Sequence, residues 1–181
     1  MGPITVQAQH RAEPARLGVL LFGTPATDTA LGPFLAGLRE LGYVEGRDLA
    51  IECRYVEGRP EQLAGLAAEL VRNKPDVLVA IGGDVAPAAR DATARIPVVF
   101  ITSSDPVRAG LVASLNHPGG NLTGVTLLAT DLAAKRLELL VEVAPQVRRV
   151  AFLFNPAHAD NDLAETQHAA TAFKACNYPH L

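Results

Sequence analysis

The sequence contains no tryptophan, one methionine and two cysteines, and aromatic residues make up only 5% of its 181 positions. The two cysteines, Cys53 and Cys176, cannot form a disulfide framework or supply the four ligands of a structural zinc site. No apolar run reaches the roughly 18 residues that a membrane-spanning helix needs. These shortages argue against a disulfide-stapled mini-protein, a cysteine-ligated zinc module and a helical membrane protein.

An excess of one charge is also missing. The 16 Lys and Arg residues stand against 19 Asp and Glu residues, for a net charge of −3. A nucleic-acid-binding protein usually has a basic surplus, and a solvating tail usually has an acidic block. With 49% hydrophobic and 19% charged residues the chain is typical of a globular protein, long for one domain and short for two. We therefore expect no nucleic-acid partner.

Motifs that carry chemistry are mostly absent as well. The sequence has no GxxxxGK[ST] or GxGxxG phosphate loop, no GxSxG nucleophile elbow and no HExxH metal motif. The five histidines lie at no spacing that suggests a triad or a metal site, and His158 near Asp160 fits a solvated loop. Cys53 falls in a predicted strand, where a small buried thiol is the usual meaning. We predict no catalytic residue, no metal ligand and no cofactor.

What the chain does have is a regular alternation of buried strands and amphipathic helices. Continuous apolar runs predict four strands, at 16–23, 49–56, 77–81 and 97–101. Apolar residues at helical spacing predict helices at 31–41, 60–71, 86–95 and, for a short one, 111–115. Thr27 or Asp28 is the expected N-cap of the first helix. Four such units predict an α/β fold with a doubly wound, parallel, Rossmann-like sheet.

After Thr126 the pattern starts again, with a helix at 132–143, a buried strand at 149–154 and a helix at 162–174. A helix ahead of the first strand suits a second sheet better than an extension of the first. We therefore predict a first lobe at 16–126, a hinge crossover at 127–130 and an incomplete second lobe at 131–181. Residues 1–15 read as an unstructured remnant without the apolar stretch of a signal peptide, although Ala8-Gln9 resembles the end of one.

Three loops follow the predicted strands and should meet at one edge of the sheet, because ligands of open parallel sheets bind at the carboxyl ends of the strands. Their residues combine glycines for close backbone approach, hydroxyls and two carboxylates: Gly23, Thr24, Gly82, Gly83, Asp84, Ser103, Ser104 and Asp105. Hydroxyls and helix-start amides suit a carboxylate, and a carboxylate suits an ammonium group, so the set fits a zwitterion such as an amino acid. Helix capping is the alternative meaning of each residue taken alone. The lack of a base–nucleophile pair favours binding over catalysis.

Three ordered segments carry a resemblance to a known family. Residues 38–71, LRELGYVEGRDLAIECRYVEGRPEQLAGLAAELV, resemble the family pattern GLRELGYVEGxNxxIExRxAEG. Residues 98–126, VVFITSSDPVRAGLVASLNHPGGNLTGVT, look like its second signature, IVFxxxxDPVxxGLVxSLxxPGGNxTG. Residues 135–156, KRLELLVEVAPQVRRVAFLFNP, are similar to KRLELLKExxPxxxRVAxLxNP. The family is that of bacterial ABC-transporter substrate-binding proteins, and the resemblance covers residues 16–170.

The resemblance implies a type I periplasmic-binding-protein-like fold, in which two Rossmann-like lobes close on a small solute without catalysis. It implies a periplasmic or lipid-anchored protein that hands the solute to an ABC permease with a separate ATPase. Better-understood relatives take up aromatic amino acids. By analogy, the three loops form the first lobe's half of the cleft, Thr126 lies at the crossover, and Asn155 faces the cleft from the second lobe.

Two departures from the family pattern bear on the site and on folding. Where relatives often read TPAA or SPAA after the third strand, this chain has GDVAP, with an acidic Asp84. Relatives also continue beyond the point at which this chain ends in CNYPHL, so we expect a stable 16–126 domain and a labile remainder. A sensory or interaction module of the same fold, and a flavodoxin-like enzyme that uses Asp84 or Asp105 as a base, remain the alternative functions.

Overall fold

A computed structural model describes residues 13–82, 84–127, 132–153 and 162–172. Its strands are β1 Ala15–Leu21, β2 Leu49–Tyr55, β3 Val77–Ile81, β4 Val98–Thr102 and β5 Leu122–Thr126. Its α-helices are α1 Leu31–Glu40, α2 Leu63–Arg72, α3 Val85–Ala92, α4 Ala133–Val143 and α5 Asp162–Ala172. A 3-10 turn, Pro60–Gln62, precedes α2. None of the described helices is long and apolar enough to cross a membrane.

The five strands form one all-parallel sheet in the order β2-β1-β3-β4-β5. Leu17 of β1 lies opposite Ile51 on one side and Val77 on the other, and Thr102 of β4 lies opposite Thr126 of β5. The chain winds from β1 outward to β2 and then returns to place β3 on the other side of β1. The predicted doubly wound sheet is confirmed, and its winding direction reverses between β1 and β3.

Helices cover both faces of the sheet, as all-parallel sheets require. On one face α2 and α3 pack on residues such as Leu20, Leu78 and Phe100, each at most 2% exposed. On the other face α1 packs through Leu31 and Phe34 on a smaller cluster of Val19, Leu21 and Val79. Alternate residues of β1 therefore serve opposite cores, which is why the strand reads as a continuous apolar run.

The fifth strand was not predicted, because Leu122–Thr126 has the sequence LTGVT, which is short and half polar. It forms because the backbone of β4 pairs with it along its whole length. Gly124 permits the close approach of the two strands, since a Cβ there would collide with the Phe100 carbonyl. The prediction of a helix at 111–115 was wrong. The backbone there turns back on itself, with Leu111 N donating to Pro106 O at 2.8 Å and Ala113 N donating to Pro118 O at 2.9 Å.

Beyond residue 131 the two predicted helices are confirmed as α4 and α5, as far as the described residues reach. The predicted strand at 149–154 was wrong over its described part, since residues 149–153 have no strand geometry and join no ladder of the sheet. An apolar run becomes a strand only where a neighbouring strand accepts its backbone hydrogen bonds. Residues 1–12 and most of the 127–130 crossover lie outside the described residues, so the division into lobes stays a prediction.

Candidate functional site

The described candidate residues lie where the sequence placed them, at the carboxyl edge of the sheet. Gly23 and Thr24 follow β1, Gly82 and Asp84 follow β3, the segment 103–105 follows β4, and Thr126 ends β5. Since β1, β3, β4 and β5 are adjacent and parallel, their ends form one continuous rim. Gly83 and Asn155 lie outside the described residues. The edge therefore brings together eight of the ten predicted residues.

Gly82 marks the point where the winding direction reverses. Its φ is +122°, and a Cβ built on it would lie 2.7 Å from Phe22 Cβ, on the loop after β1. Its amide donates to Ile101 O at 2.9 Å, which ties it to β4 as well. Only glycine fits this backbone conformation and this close contact. The region between the loops that follow β1 and β3, called the crevice below, is the switch point at which open α/β sheets bind ligands.

The loop between β1 and α1 folds around a pair of threonines. The two hydroxyls of Thr24 and Thr27 are 2.9 Å apart, and Thr27 N donates to Thr24 O at 3.1 Å. Thr24 N donates to Thr27 Oγ1 at 3.2 Å, so backbone and side chains close one compact turn. The Thr24 backbone is consequently held beside the crevice in a defined conformation.

The two candidate carboxylates differ in what they do. Asp105 Oδ1 accepts from Val107 N at 2.8 Å and from Arg108 N at 3.2 Å, which is the capping role that the sequence left open. Asp84 occupies the N-cap position of α3, but its side chain makes no capping hydrogen bond, and its Oδ2 atom is buried. Capping accounts for Asp105 and does not account for Asp84.

Two threonines fasten the loop that follows β4. Thr102 is 1% exposed, and its Oγ1 accepts from Ser104 N at 3.1 Å. Thr126 Oγ1 donates to Ser104 O at 2.9 Å, so the end of β5 holds the same residue from the other side. The backbone of the Ser103-Ser104 segment is therefore fixed by its neighbours.

Sequence reasoning missed Tyr55, the last residue of β2. Its hydroxyl donates to Asp28 Oδ2 at 2.9 Å, while Asp28 Oδ1 accepts from Ala30 N at 2.8 Å and Leu31 N at 3.3 Å. The N-cap of α1 is Ala30, so neither Thr27 nor Asp28 takes that position, although Asp28 still serves the first turn. Partial burial and the hydrogen bond to Asp28 raise the pKa of Tyr55 to about 12. Partial burial pushes the pKa of Asp28 upward, but the hydrogen bonds it accepts outweigh this and leave that pKa below its ordinary value.

The described residues hold no group of three or more His, Cys, Asp or Glu side chains that could bind a metal ion. A depression of about 130 Å³ lies at the opposite, amino edge of the sheet, between Arg16, Glu52 and Asn73. Two of the functional groups that line it already interact, since Asn73 Nδ2 donates to both Glu52 oxygens. Glu52 also pairs with Arg54. The carboxyl edge is an open rim, as one wall of a two-walled cleft would be.

The five-stranded, all-parallel sheet has the α/β fold of type I periplasmic binding proteins and is consistent with one lobe of such a protein. The family model for ABC transporter substrate binding proteins matches residues 19–175, and the chain belongs to that family. A "Tyrosine-binding protein" of Clostridioides difficile strain R20291 is 31% identical over 140 residues, which are 77% of this chain and 40% of that protein.

Two solved structures extend the likeness to three dimensions. A "conserved domain protein" from Vibrio cholerae O1 biovar El Tor N16961 superposes with a TM-score of 0.78 at 30% identity. An ABC domain from Streptococcus pneumoniae in complex with L-Trp superposes with a TM-score of 0.76 at 28% identity. Each comparison covers 90% of this chain and 55% of the other. The chain thus spans about half the length of the relatives it matches.

Proposed function

We propose that this chain captures a small solute, an amino acid, as the solute-binding component of an ABC importer, without catalysing a reaction. The observation that carries the proposal is the rim of candidate loops around the reversal point at Gly82, in a chain of a substrate-binding family. Two similar proteins point to the solute class, since one is named for tyrosine and the other was solved with L-Trp. An aromatic amino acid is therefore the first solute to test.

The rim offers chemistry for both ends of a zwitterion. Backbone amides and hydroxyls around Gly23, Thr24, Ser103 and Ser104 suit the solute carboxylate, because helix-start and loop N–H groups favour anions. Asp84 suits the ammonium group, since it places a carboxylate on the rim at the start of α3. The remaining proposed contacts are Gly82, Gly83, Asp105, Thr126 and Asn155. In this scheme Asp105 contributes through the turn it caps.

The partners follow from the same proposal. A solute-binding component of this type acts outside the inner membrane, free in the periplasm or lipid-anchored, and delivers to a membrane permease with a separate ATPase. Since the chain covers 55% of the length of two solved relatives, the importer role of the whole protein is part of the proposal. Capture by the first lobe is the part of the function that this chain can be tested for.

The lack of tryptophan makes a direct binding experiment possible. L-Trp excited at the red edge of the indole band is the only fluorophore, so its emission shift and anisotropy report binding as the chain is titrated in. We expect saturable binding that L-Tyr competes away. As a second measure, a solute at a hundred times its Kd should stabilise the fold by about 2.7 kcal/mol.

Asp84 and Asp91 form a matched pair of variants at opposite ends of α3. Asp84→Ala should weaken L-Trp binding at least tenfold, because a carboxylate facing an ammonium group is lost. Asp91→Ala should bind like the wild type, since that side chain is 68% exposed and pairs only with Arg90 among the ion pairs described. A folded wild-type chain that binds none of the amino acids would contradict the proposal, and turnover of a bound solute would favour the enzyme alternative.

A further inference from the structure

The loop of residues 22–30, which carries Gly23 and Thr24, is held near both ends by residues 55–57, which are the last residue of β2 and the two residues after it. Near its start, Gly23 O accepts a hydrogen bond from Glu57 N at 3.1 Å. Near its end, Asp28 Oδ2 accepts from the Tyr55 hydroxyl at 2.9 Å. A stretch of three residues, 55–57, therefore holds both ends of the loop that borders the crevice.

The anchoring segment is itself built for this contact. Glu57 adopts a left-handed backbone conformation with φ of 54°, which is uncommon for a residue with a side chain. Val56 is fully buried, and its amide donates to Leu21 O at 2.9 Å, so the segment extends the β1–β2 pairing by one step. Strain of this kind persists where the surrounding structure holds it, and here it turns the Glu57 amide toward Gly23.

Asp28 links the anchor to the helix. One carboxylate oxygen receives the Tyr55 hydroxyl, and the other receives the amides of Ala30 and Leu31 at the start of α1. The carboxylate thus joins β2, the loop and the start of α1. A charged acceptor makes each of these hydrogen bonds stronger than a neutral one would be. The raised pKa of Tyr55, about 12, agrees with a phenol that holds its proton against this acceptor.

We propose that Tyr55 is a positioning residue for the solute: through Asp28 it holds the Gly23–Thr24 backbone in the conformation that binds. The inference rests on the proposed function, because it concerns the same crevice. Tyr55 acts on the solute through the loop and does not touch it. Replacing Tyr55 should let the loop sample other conformations. Because a smaller fraction of the molecules would then have the loop in the binding conformation, the affinity should fall.

The test compares Tyr55→Phe with Tyr43→Phe, since Tyr43 is a 40% exposed tyrosine outside this contact. We expect Tyr55→Phe to weaken L-Trp binding about 3- to 10-fold, the effect of one lost hydrogen bond, and Tyr43→Phe to leave it unchanged. Hydrogen exchange should accelerate at the amides of Thr24, Thr27 and Leu31 and stay constant in β3. Acceleration throughout the sheet would mean a general loss of stability and would overturn the proposal.

A double-mutant cycle tests whether Tyr55 acts through Asp28. Asp28→Ala should weaken binding as much as Tyr55→Phe, and the double variant should be no worse than Asp28→Ala alone. Asp28→Asn keeps an oxygen that accepts the Tyr55 hydroxyl, so it should retain most of the affinity. Additive losses would overturn the proposal, as would wild-type affinity in Tyr55→Phe. If the wild type bound no amino acid, both the proposed function and this inference would be contradicted. If the wild type bound and the Tyr55 variant bound equally well, only the inference would be contradicted.

Discussion

The sheet region, residues 13–127, and the described residues beyond 131 contain similar apolar patterns but bury them differently. In the sheet region Val19, Leu20 and Leu21 of β1 are at most 2% exposed. Among the α4 residues whose burial is described, Leu137 alone is buried, at 5% exposure, while Val143 is 84% exposed. A helix needs only its own backbone to form, so α4 is present with much of its apolar surface uncovered. A strand needs a neighbouring strand, and β5 has one in β4, whereas residues 149–153 pair with none of the five described strands.

The largest expected difference between the two regions is in amide hydrogen exchange. Amides of central strands open only with the whole fold, whereas an exposed segment outside the sheet opens at almost no cost. The Val79 amide in β3 should exchange about a thousandfold or more slower than the Leu153 amide, whose side chain is 99% exposed. Exchange measured by NMR at neutral pH checks this. Equal protection would mean that the region beyond 131 shares the core of the sheet, which would erase the contrast.

Two leucine variants on helices measure the same contrast as stability. Leu70 on α2 is 1% exposed and Leu139 on α4 is 47% exposed. Leu70→Ala should lower the free energy of unfolding by about 2–5 kcal/mol, because it removes buried methyl groups and leaves a cavity. Leu139→Ala should change it by no more than about 0.5 kcal/mol. Urea denaturation gives both values, and comparable losses would contradict the burial difference.

Two glycine variants sharpen the comparison within the sheet region. Gly82→Ala should cost about 1–3 kcal/mol, since it combines a φ of +122° with a Cβ 2.7 Å from Phe22. Gly65→Ala on α2 meets nothing within 4 Å and should stabilise the fold by about 0.4–1 kcal/mol. Thermal melts distinguish the opposite signs. If Gly82→Ala left the melting temperature unchanged, the packing between position 82 and Phe22 would be looser than the structure indicates.

The smallest effect expected is the alkaline loss of the Tyr55 contact. Its folded-state pKa, raised to about 12, lies above the ordinary value near 10, so its stabilising contribution is present below about pH 10 and lost as the pH rises toward 12. At neutral pH the free energy of unfolding of the wild type should therefore be about 0.5–1.5 kcal/mol larger than that of Tyr55→Phe. This difference in stability should vanish near pH 12. Urea midpoints along the pH series measure the difference. If the stability difference stayed constant throughout the pH series, the hydrogen bond from the Tyr55 hydroxyl to Asp28 would not be its cause.

Prediction from sequence succeeded where a pattern is local. The bounds of β3 agree residue for residue with the predicted strand, and α4 begins within one residue of its predicted start. It failed where the outcome depends on a distant partner: β5 needed β4, the turn after Asp105 needed Pro106 and Pro118, and 149–153 needed a ladder. Helical spacing at 111–115 was real, but the backbone hydrogen bonds there go to residues across the turn.

The candidate site divides along the same line. That the candidate loops share one edge follows from the parallel sheet, which the sequence predicts, and Thr24, Gly82 and Asp84 lie there. Nothing in the sequence pairs Asp28 with Tyr55, because the two residues are 27 positions apart. Asp28 lies outside the family patterns, and Tyr55 stands at an unspecified position of the pattern at 38–71. Sequence reasoning considered Asp28 only as a helix cap. The structure shows that one carboxylate serves both the helix and the anchor.

The sequence by itself determined the fold class, the alternation of strands and helices, and the edge of the sheet that the candidate loops share. These follow from periodicity and from glycine and proline positions, which act within a few residues. Only the tertiary structure decided that LTGVT is a strand, that Asp105 caps a turn and that Tyr55 anchors the loop at the crevice. Each of these depends on a hydrogen-bond partner or a packed neighbour that the fold brings from elsewhere in the chain, and a one-dimensional pattern does not record which groups will meet.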